Sequence, residues 1–189
     1  MNNPVELNEV IVSAREILAQ LLAIDAADIE PDSSLVEDLS ADSLDIVDLS
    51  FQLGRLYGCT LPKTSVLEHA VTVCGSLDAF VLEGGLTEAG KALLEESLSV
   101  YTSNQLRVGM KPADVFAVTT VRNWAEQCRG VFNYLPAVCP ECGGEHAELN
   151  ERQQVVCSSC SARVTPVDGD EISQRLVEKF VATHLSAVA

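Results

Sequence analysis

Four cysteines in two tight pairs constrain this chain more than any other feature. Cys139-Pro-Glu-Cys142 is followed, after fourteen intervening residues, by Cys157-Ser-Ser-Cys160. Two such pairs can supply four thiolates to one tetrahedral ion, and all-sulfur ligation of that kind suits Zn2+. Gly143 and Gly144, just after the first pair, let backbone amides turn toward the sulfurs. Ala147–Val156 and Ser161–Val167 have the length and β-branched content of short strands.

The stretch from Pro136 to Val167 thereby resembles a zinc ribbon, with Cys139, Cys142, Cys157 and Cys160 as its ligands. Four protein thiolates leave no open position for water, so the site is expected to be structural. Redox chemistry at Cys139 and Cys142 is the competing reading, but it lacks the βαβ context that a thioredoxin-like motif needs. His146 would become a ligand only if one cysteine were displaced. Cys59, Cys74 and Cys128 stand isolated in apolar neighbourhoods, where free cysteine serves as small core filler. A nucleophilic pair such as Cys74 with His69 is the alternative, and nothing local activates it. Seven cysteines, an odd number, point to a reducing compartment rather than a disulfide framework. MNNPVELNEV has neither a basic nor an apolar stretch of signal-peptide type, and no apolar run is long enough for a bilayer, so a cytoplasmic protein is expected.

Charge narrows the partners. A formal charge of −16 over 189 residues repels phosphate backbones and anionic membranes and draws basic partners in. Even the cysteine-rich stretch carries Glu141, Glu145, Glu148 and Glu151, which makes it a poor ligand for nucleic acid. Nine carboxylates and no base occupy Asp25–Asp48.

Helical periodicity dominates the rest. Leu7, Val10, Ile11, Ala14, Ile17, Leu18 and Leu21 predict an amphipathic helix over Val5–Leu22. An acidic loop follows, anchored by Ile29, Leu35 and Leu39. A second helix is predicted from Ser43 to Tyr57, capped by Ser40 or Asp42 and stopped by Gly58. At about 100° per residue, Ile46, Leu49 and Leu53 share one face and Leu44, Val47 and Phe51 nearly the opposite one. A small domain buries one such stripe, rarely both. The second stripe, flanked by Asp45 and Asp48, has the make-up of a docking surface for a basic, partly hydrophobic partner. Beyond it, Thr87 predicts a helix N-cap with helix through about Val100. A short helical turn is predicted near Ala113–Phe116, a helix through Cys128 capped by Thr119 or Thr120, and a last helix capped by Asp168 or Asp170. Its apolar face comprises Ile172, Leu176, Val177, Phe180, Val181 and Leu185. No convincing strand alternation precedes Pro136.

Ser43 is the one hydroxyl placed where the acidic loop meets this helix. As a nucleophile it would need a base, and its neighbours are Asp42, Leu44 and Asp45. As a helix-start residue it would satisfy backbone amides. As a modification site it would place an anionic group at the positive end of a helix, with Asp42 opposing that charge.

Asp42-Ser43-Leu44, preceded by Glu37-Asp38-Leu39 and followed by Asp45 and Asp48-Leu49, resembles the signature of acyl carrier proteins. The similarity extends upstream through Ile24-Asp25 and Ile29 to Leu35, and downstream to Val118-Thr119-Thr120-Val121. It covers about residues 5–57 and 110–130. The resemblance implies that Ser43 carries covalent 4′-phosphopantetheine, and that Asp42, Leu44, Asp45, Val47 and Asp48 meet the enzymes that load and unload it. Phe51 extends that surface along the outer stripe. The implied partners are a phosphopantetheinyl transferase and acyl-loading and acyl-processing enzymes with basic docking surfaces. Where the family carries a small glycine, this chain has Ser40, a change expected to be tolerated. Residues 62–107 are inserted before the short third helix, and the cysteine-rich stretch and last helix have no counterpart in an ordinary carrier.

The expected fold is mainly α: an acyl-carrier-like four-helix bundle over 1–135 with a helical insertion, a zinc ribbon over 136–167, and an amphipathic helix over 168–189. The expected function is a non-enzymatic carrier of thioester-bound acyl groups in fatty-acid, polyketide or related biosynthesis. Two alternatives come from other classes. One is a zinc-ribbon interaction or nucleic-acid-binding protein with a helical scaffold. The other is a cysteine-dependent enzyme using Cys59, Cys74 or Cys128.

Overall fold

The computed structural model describes residues 1–185; the last four residues of the expected C-terminal helix lie outside them. Helix α1 spans Leu7–Leu22 and is followed by a 3-10 turn at Ala26–Asp28. Helix α2 spans Ser43–Tyr57. Its start is set by the Asp42 carboxylate, which accepts from the amides of Leu44 (2.7 Å) and Asp45 (3.1 Å), while Asp45 accepts from the Asp42 amide (2.9 Å). This reciprocal box satisfies donors that a helix start leaves orphaned. Its end is set by Gly58, whose φ of +80° carries the chain out through the left-handed region.

Helix α6, Val121–Val131, completes the bundle with α1 and α2, although residues 58–120 intervene in the chain. The acidic loop fastens its start. The Leu35 amide donates to the Thr119 carbonyl (3.1 Å), and the amides of Val121 (3.1 Å) and Arg122 (2.8 Å) donate to the carbonyls of Ser33 and Pro31. Arg122 then pairs with Asp32 at 2.7 Å. Val10, Ala14 and Leu18 of α1 meet Ile46, Leu49 and Leu53 of α2 and Val121, Ala125 and Cys128 of α6 in one buried core. The same core takes in Cys139, Ala147, Val155, Cys157 and Val164, so the cysteine-rich stretch is packed onto the bundle.

The inserted residues, with the short helix that follows them, build a second core. Helix α3 (Val66–Cys74), the hairpin β1 (Val81–Leu82) and β2 (Gly85–Leu86), α4 (Glu88–Glu95) and α5 (Pro112–Ala117) supply Leu67, Phe80, Leu86, Leu93 and Val115. Helix α7, Gly169–Phe180, continues into a π turn over Val181–Leu185. Its Ile172 belongs to the first core and its Val177 and Phe180 to the second, so the amphipathic face read from the sequence is shared between them.

Several expectations are corrected. The helix capped by Thr87 stops at Glu95 rather than near Val100. The Ser97 hydroxyl donates to the Leu94 carbonyl (2.7 Å), and Val100 has a φ of +47°, which no helix continues through. A hairpin precedes Pro136 after all, turned by Glu83 and Gly84, both at positive φ. Ala147–Val156 is a hairpin, not one strand: β3 (Ala147–Leu149) pairs antiparallel with β4 (Val155–Cys157). Asn150 breaks it by accepting from the amides of Arg152 (2.9 Å) and Gln154 (3.0 Å). Ser161–Val167 supplies only a bridge between Val156 and Arg163.

Asp170 ties α7 to the insertion. Its carboxylate accepts from the amides of Thr64 (2.9 Å) and Lys63 (3.1 Å) and meets Nε2 of the buried His69 at 3.2 Å. Burial alone would raise its pKa, but the Thr64 amide, His69 and the Lys63 amide outweigh it and hold the carboxyl below its ordinary 3.8. A depressed carboxylate stabilises the fold above its unfolded pKa and loses that contribution as pH falls through the folded value. Asp170→Ala is expected to cost about 2 kcal/mol in denaturant titration at neutral pH. The deficit should shrink as pH falls below 3.8.

Candidate functional site

Ser43 is the first residue of α2 and is exposed. Because Asp42 performs the capping, the Ser43 hydroxyl has no recorded hydrogen-bond partner among the described residues. The backbone just upstream keeps the conformation that the family's glycine would favour: Ser40 has a φ of +56°.

The two stripes of α2 part as their periodicity requires. Ile46, Leu49 and Leu53 are buried, whereas Leu44 is 75%, Val47 65% and Phe51 64% exposed. The inserted residues therefore leave the outer stripe free. Asp48 is exposed beside it, and Asp45 is half-buried by its role in the cap.

Along the same helix runs a cleft of about 1230 Å³, lined by Ser43 at one end and by Gly58 at the other. Val47, Phe51 and Gly54 line it between them. Trp124 of α6 and Phe116 of α5 contribute further apolar lining, and the indole Nε1 of Trp124 is a buried donor with no acceptor among the described residues. Arg163 joins from the cysteine-rich stretch and Lys63 from the start of the insertion. None of these cleft residues beyond α2 carries a local sequence signal. The only hint is that Arg55, Lys63 and Arg163 are scarce bases in an acidic chain.

None of the three histidines lines this cleft. His69 is engaged with Asp170, and His184 with Glu96 at 3.3 Å and with the Phe180 ring. His146 lies next to β3, its carbonyl accepting from the Ser158 amide (3.1 Å). His69 and Cys74 sit five residues apart on α3, about 140° around the helix, and do not form a pair. Cys74 is exposed rather than core filler, because Gly75 ends α3 there. Nor are Cys59 and Cys128 isolated: the Cys59 thiol and complete burial push the Cys128 thiol well above its ordinary pKa, which leaves it unreactive.

Cys139, Cys142, Cys157 and Cys160 converge with all four sulfurs within 4.8 Å of one another. Cys139 and Cys160 are 3.8 Å apart, and Cys142 and Cys157 are 3.6 Å apart. A tetrahedron of thiolates with Zn–S bonds of about 2.3 Å has edges of about 3.8 Å, so the donor set fits zinc. The loops are shaped for it. The Gly143 amide donates to the Cys139 carbonyl (2.8 Å) and the Ser161 amide to the Cys157 carbonyl (2.8 Å). A Cβ on Gly144 would lie 3.0 Å from the Ser159 hydroxyl and 3.1 Å from the Cys157 sulfur, so a side chain here would crowd the sulfur cluster. Amides of Ser159 and Cys160 favour a thiolate at Cys157, whose pKa is lowered to about 6. Cys142, despite the Gly144 amide, is pushed up to about 12 by the Cys160 and Cys157 thiols beside it.

Comparison with known proteins follows the same division of the chain. A family model described as "Phosphopantetheine attachment site" matches residues 13–73. The acyl carrier protein of Rubrobacter xylanophilus is 37% identical over 68 residues, covering 33% of this chain and 84% of that protein. The meromycolate extension acyl carrier protein of Mycobacterium tuberculosis is 32% identical over 92 residues, covering 48% of this chain and 78% of that protein. No solved structure matches. The family match ends inside α3, yet the helix that packs on α1 and α2 is α6.

Proposed function

This chain belongs to the acyl carrier protein family, and on that premise we propose that it is a carrier that presents acyl intermediates to partner enzymes from Ser43. The observation that carries the reading is an exposed hydroxyl, with no hydrogen-bond partner among the described residues, at the start of a helix whose outer apolar stripe is also exposed. Covalent 4′-phosphopantetheine, when bound, supplies a thiol that holds acyl groups as thioesters. The rest falls to this chain's own residues. Asp42 holds the start of α2 rigid, so the attachment point is fixed relative to the docking surface. Leu44, Val47 and Phe51 offer partner enzymes an apolar strip, and Asp42, Asp45 and Asp48 orient basic partner surfaces and raise their encounter rate. Catalysis is left to those partners, a phosphopantetheinyl transferase first among them. The cargo is that of fatty-acid, polyketide or related biosynthesis, handled in the reducing cytoplasm, where unpaired cysteines persist. Among the described residues no helix is long and apolar enough to cross a membrane.

We assign one Zn2+ to Cys139, Cys142, Cys157 and Cys160, in a structural role. The chain divides as 1–135 for the carrier unit with its insertion at 62–107, 136–167 for the ribbon and 168–189 for the closing helix. The ribbon's part is to brace the carrier unit, since both contribute to one core.

Incubation with coenzyme A and a phosphopantetheinyl transferase, followed by intact-mass measurement, tests the reading. One phosphopantetheine per chain is expected, and a protein that gains none is not a carrier. Phe51→Ala, or Asp48→Lys, should lower the transferase's kcat/KM about tenfold. The Asp48→Lys defect should fade at high salt and the Phe51→Ala defect should not.

A further inference from the structure

We propose that the cleft along α2 holds a carboxylate-terminated acyl group of five or six carbons, its free carboxylate bound at Arg163 with Lys63 and Arg55. The inference rests on the carrier reading and adds the class of cargo. The cleft is lined by three cations against the single carboxylate of Asp168, in a chain of net charge −16. Asp168 is partly occupied, since it accepts from the Asp170 amide at 2.9 Å. None of the three cleft cations has a carboxylate within 4.0 Å among the described residues; Arg15, Arg107, Lys111, Arg152 and Lys179 share that property, but only Arg55, Lys63 and Arg163 line one cleft together.

Reach selects the cargo. From Ser43 to Arg55 is about 18 Å along α2, and to Gly58 about 22 Å. Arg163 sits at that far end: a Cβ on Gly58 would lie 3.0 Å from its Nη2. A phosphopantetheine has about fourteen skeletal bonds from the serine oxygen to sulfur, roughly 16 Å at the 3.5 Å per three bonds of an extended chain. The remaining 6 Å or so is about five bonds, the span of a five- or six-carbon diacid. On that scale Val47 and Phe51 flank the arm, at about 6 and 12 Å from Ser43, and Gly54 and Gly58 flank the acyl methylenes, where the missing side chains leave room. The cofactor phosphate itself belongs at Ser43, too far away to use these cations. An acidic partner protein is a poorer occupant, because Asp42, Asp45 and Asp48 stand at the entrance. The plain alternative is that Arg55 and Arg163 merely complement the negative end of α2.

The test loads the full-length protein from adipoyl- and hexanoyl-coenzyme A with a phosphopantetheinyl transferase. Cleavage of each thioester by hydroxylamine is then followed by intact mass, normalised to the same thioesters on coenzyme A. On the wild type, adipoyl cleavage should be about fivefold slower than hexanoyl cleavage. That ratio should fall to about one in Arg163→Ala/Lys63→Ala and be kept in Arg163→Lys, whose charge persists. Equal protection of both cargoes on the wild type overturns the inference and leaves the carrier reading standing. Selectivity that survives in the double alanine variant overturns it too, since Arg163 and Lys63 would then not be what holds the carboxylate. Failure of the wild type to load overturns the carrier reading and this inference with it.

Discussion

Ser43→Ala is expected to abolish phosphopantetheine uptake, with no detectable mass gain under conditions that convert the wild type fully. Its fold should survive. The hydroxyl makes no recorded hydrogen bond among the described residues, the side chain is exposed, and the capping role belongs to Asp42. The substitution should therefore change stability by less than about 0.5 kcal/mol. Asp42→Ala should show the reverse pattern: loss of the cap costs about 1 kcal/mol, while the attachment hydroxyl remains and loading slows without stopping. Thermal melting beside intact-mass measurement separates the two. If Ser43→Ala gained the same mass as the wild type, the attachment point would lie elsewhere.

Removal of the metal is expected to have the largest effect on stability. Metal analysis of the wild type should find one zinc per chain, and Cys157→Ser should lose it. Structural zinc contributes about 10–16 kcal/mol of binding free energy in isolated peptide modules, and metal binding there is inseparable from folding. In this chain the loss would not stay local. Cys157 and Cys139 are buried in the core that α1, α2 and α6 form, beside Ala147, Val155 and Val164. The ribbon side also touches the bundle by polar contacts: Gln153 accepts from the Ser13 hydroxyl (3.4 Å), and the terminal amine of Met1 donates to the carbonyls of Pro136 (2.6 Å) and Ala137 (2.9 Å). Cys157→Ser is therefore expected to lower the melting temperature by about 10 °C or more. Chelation of the wild-type metal should do the same. A zinc-free variant that melts with the wild type would show that the ribbon does not brace the carrier unit.

Where periodicity and chemistry were local, the primary structure was enough. Helix α2 could be read to its ends because Asp42 and Asp45 form a reciprocal box and Gly58 accepts a positive φ, all within the helix and its flanks. Its two faces could be separated because side-chain direction on a helix is fixed by residue spacing alone. The four cysteines announced a shared ion for the same reason: two short loops each hold a pair, and only the pairing of the loops was left to the fold. Elements whose signal is shorter than a period were not legible. The hairpin at Val81–Leu86 has two residues per strand, too few to alternate, and α4 ended early through a side-chain hydrogen bond and a positive φ at Val100. Cys59 and Cys128, sixty-nine positions apart, meet only through packing.

Ser43 as an exposed hydroxyl, the outer stripe of α2 and the four thiolates thus followed from residue order, since each depends on neighbours a few positions away. Other features depended on which apolar faces found each other. One is that α6, not α3, closes the bundle; another is that the ribbon shares its core. The cleft is a third, for it gathers Arg55, Lys63, Trp124 and Arg163 along one groove with Ser43 from four stretches of chain. Burial of apolar surface is non-directional and pays no regard to sequence separation, so those meetings are written only in three dimensions.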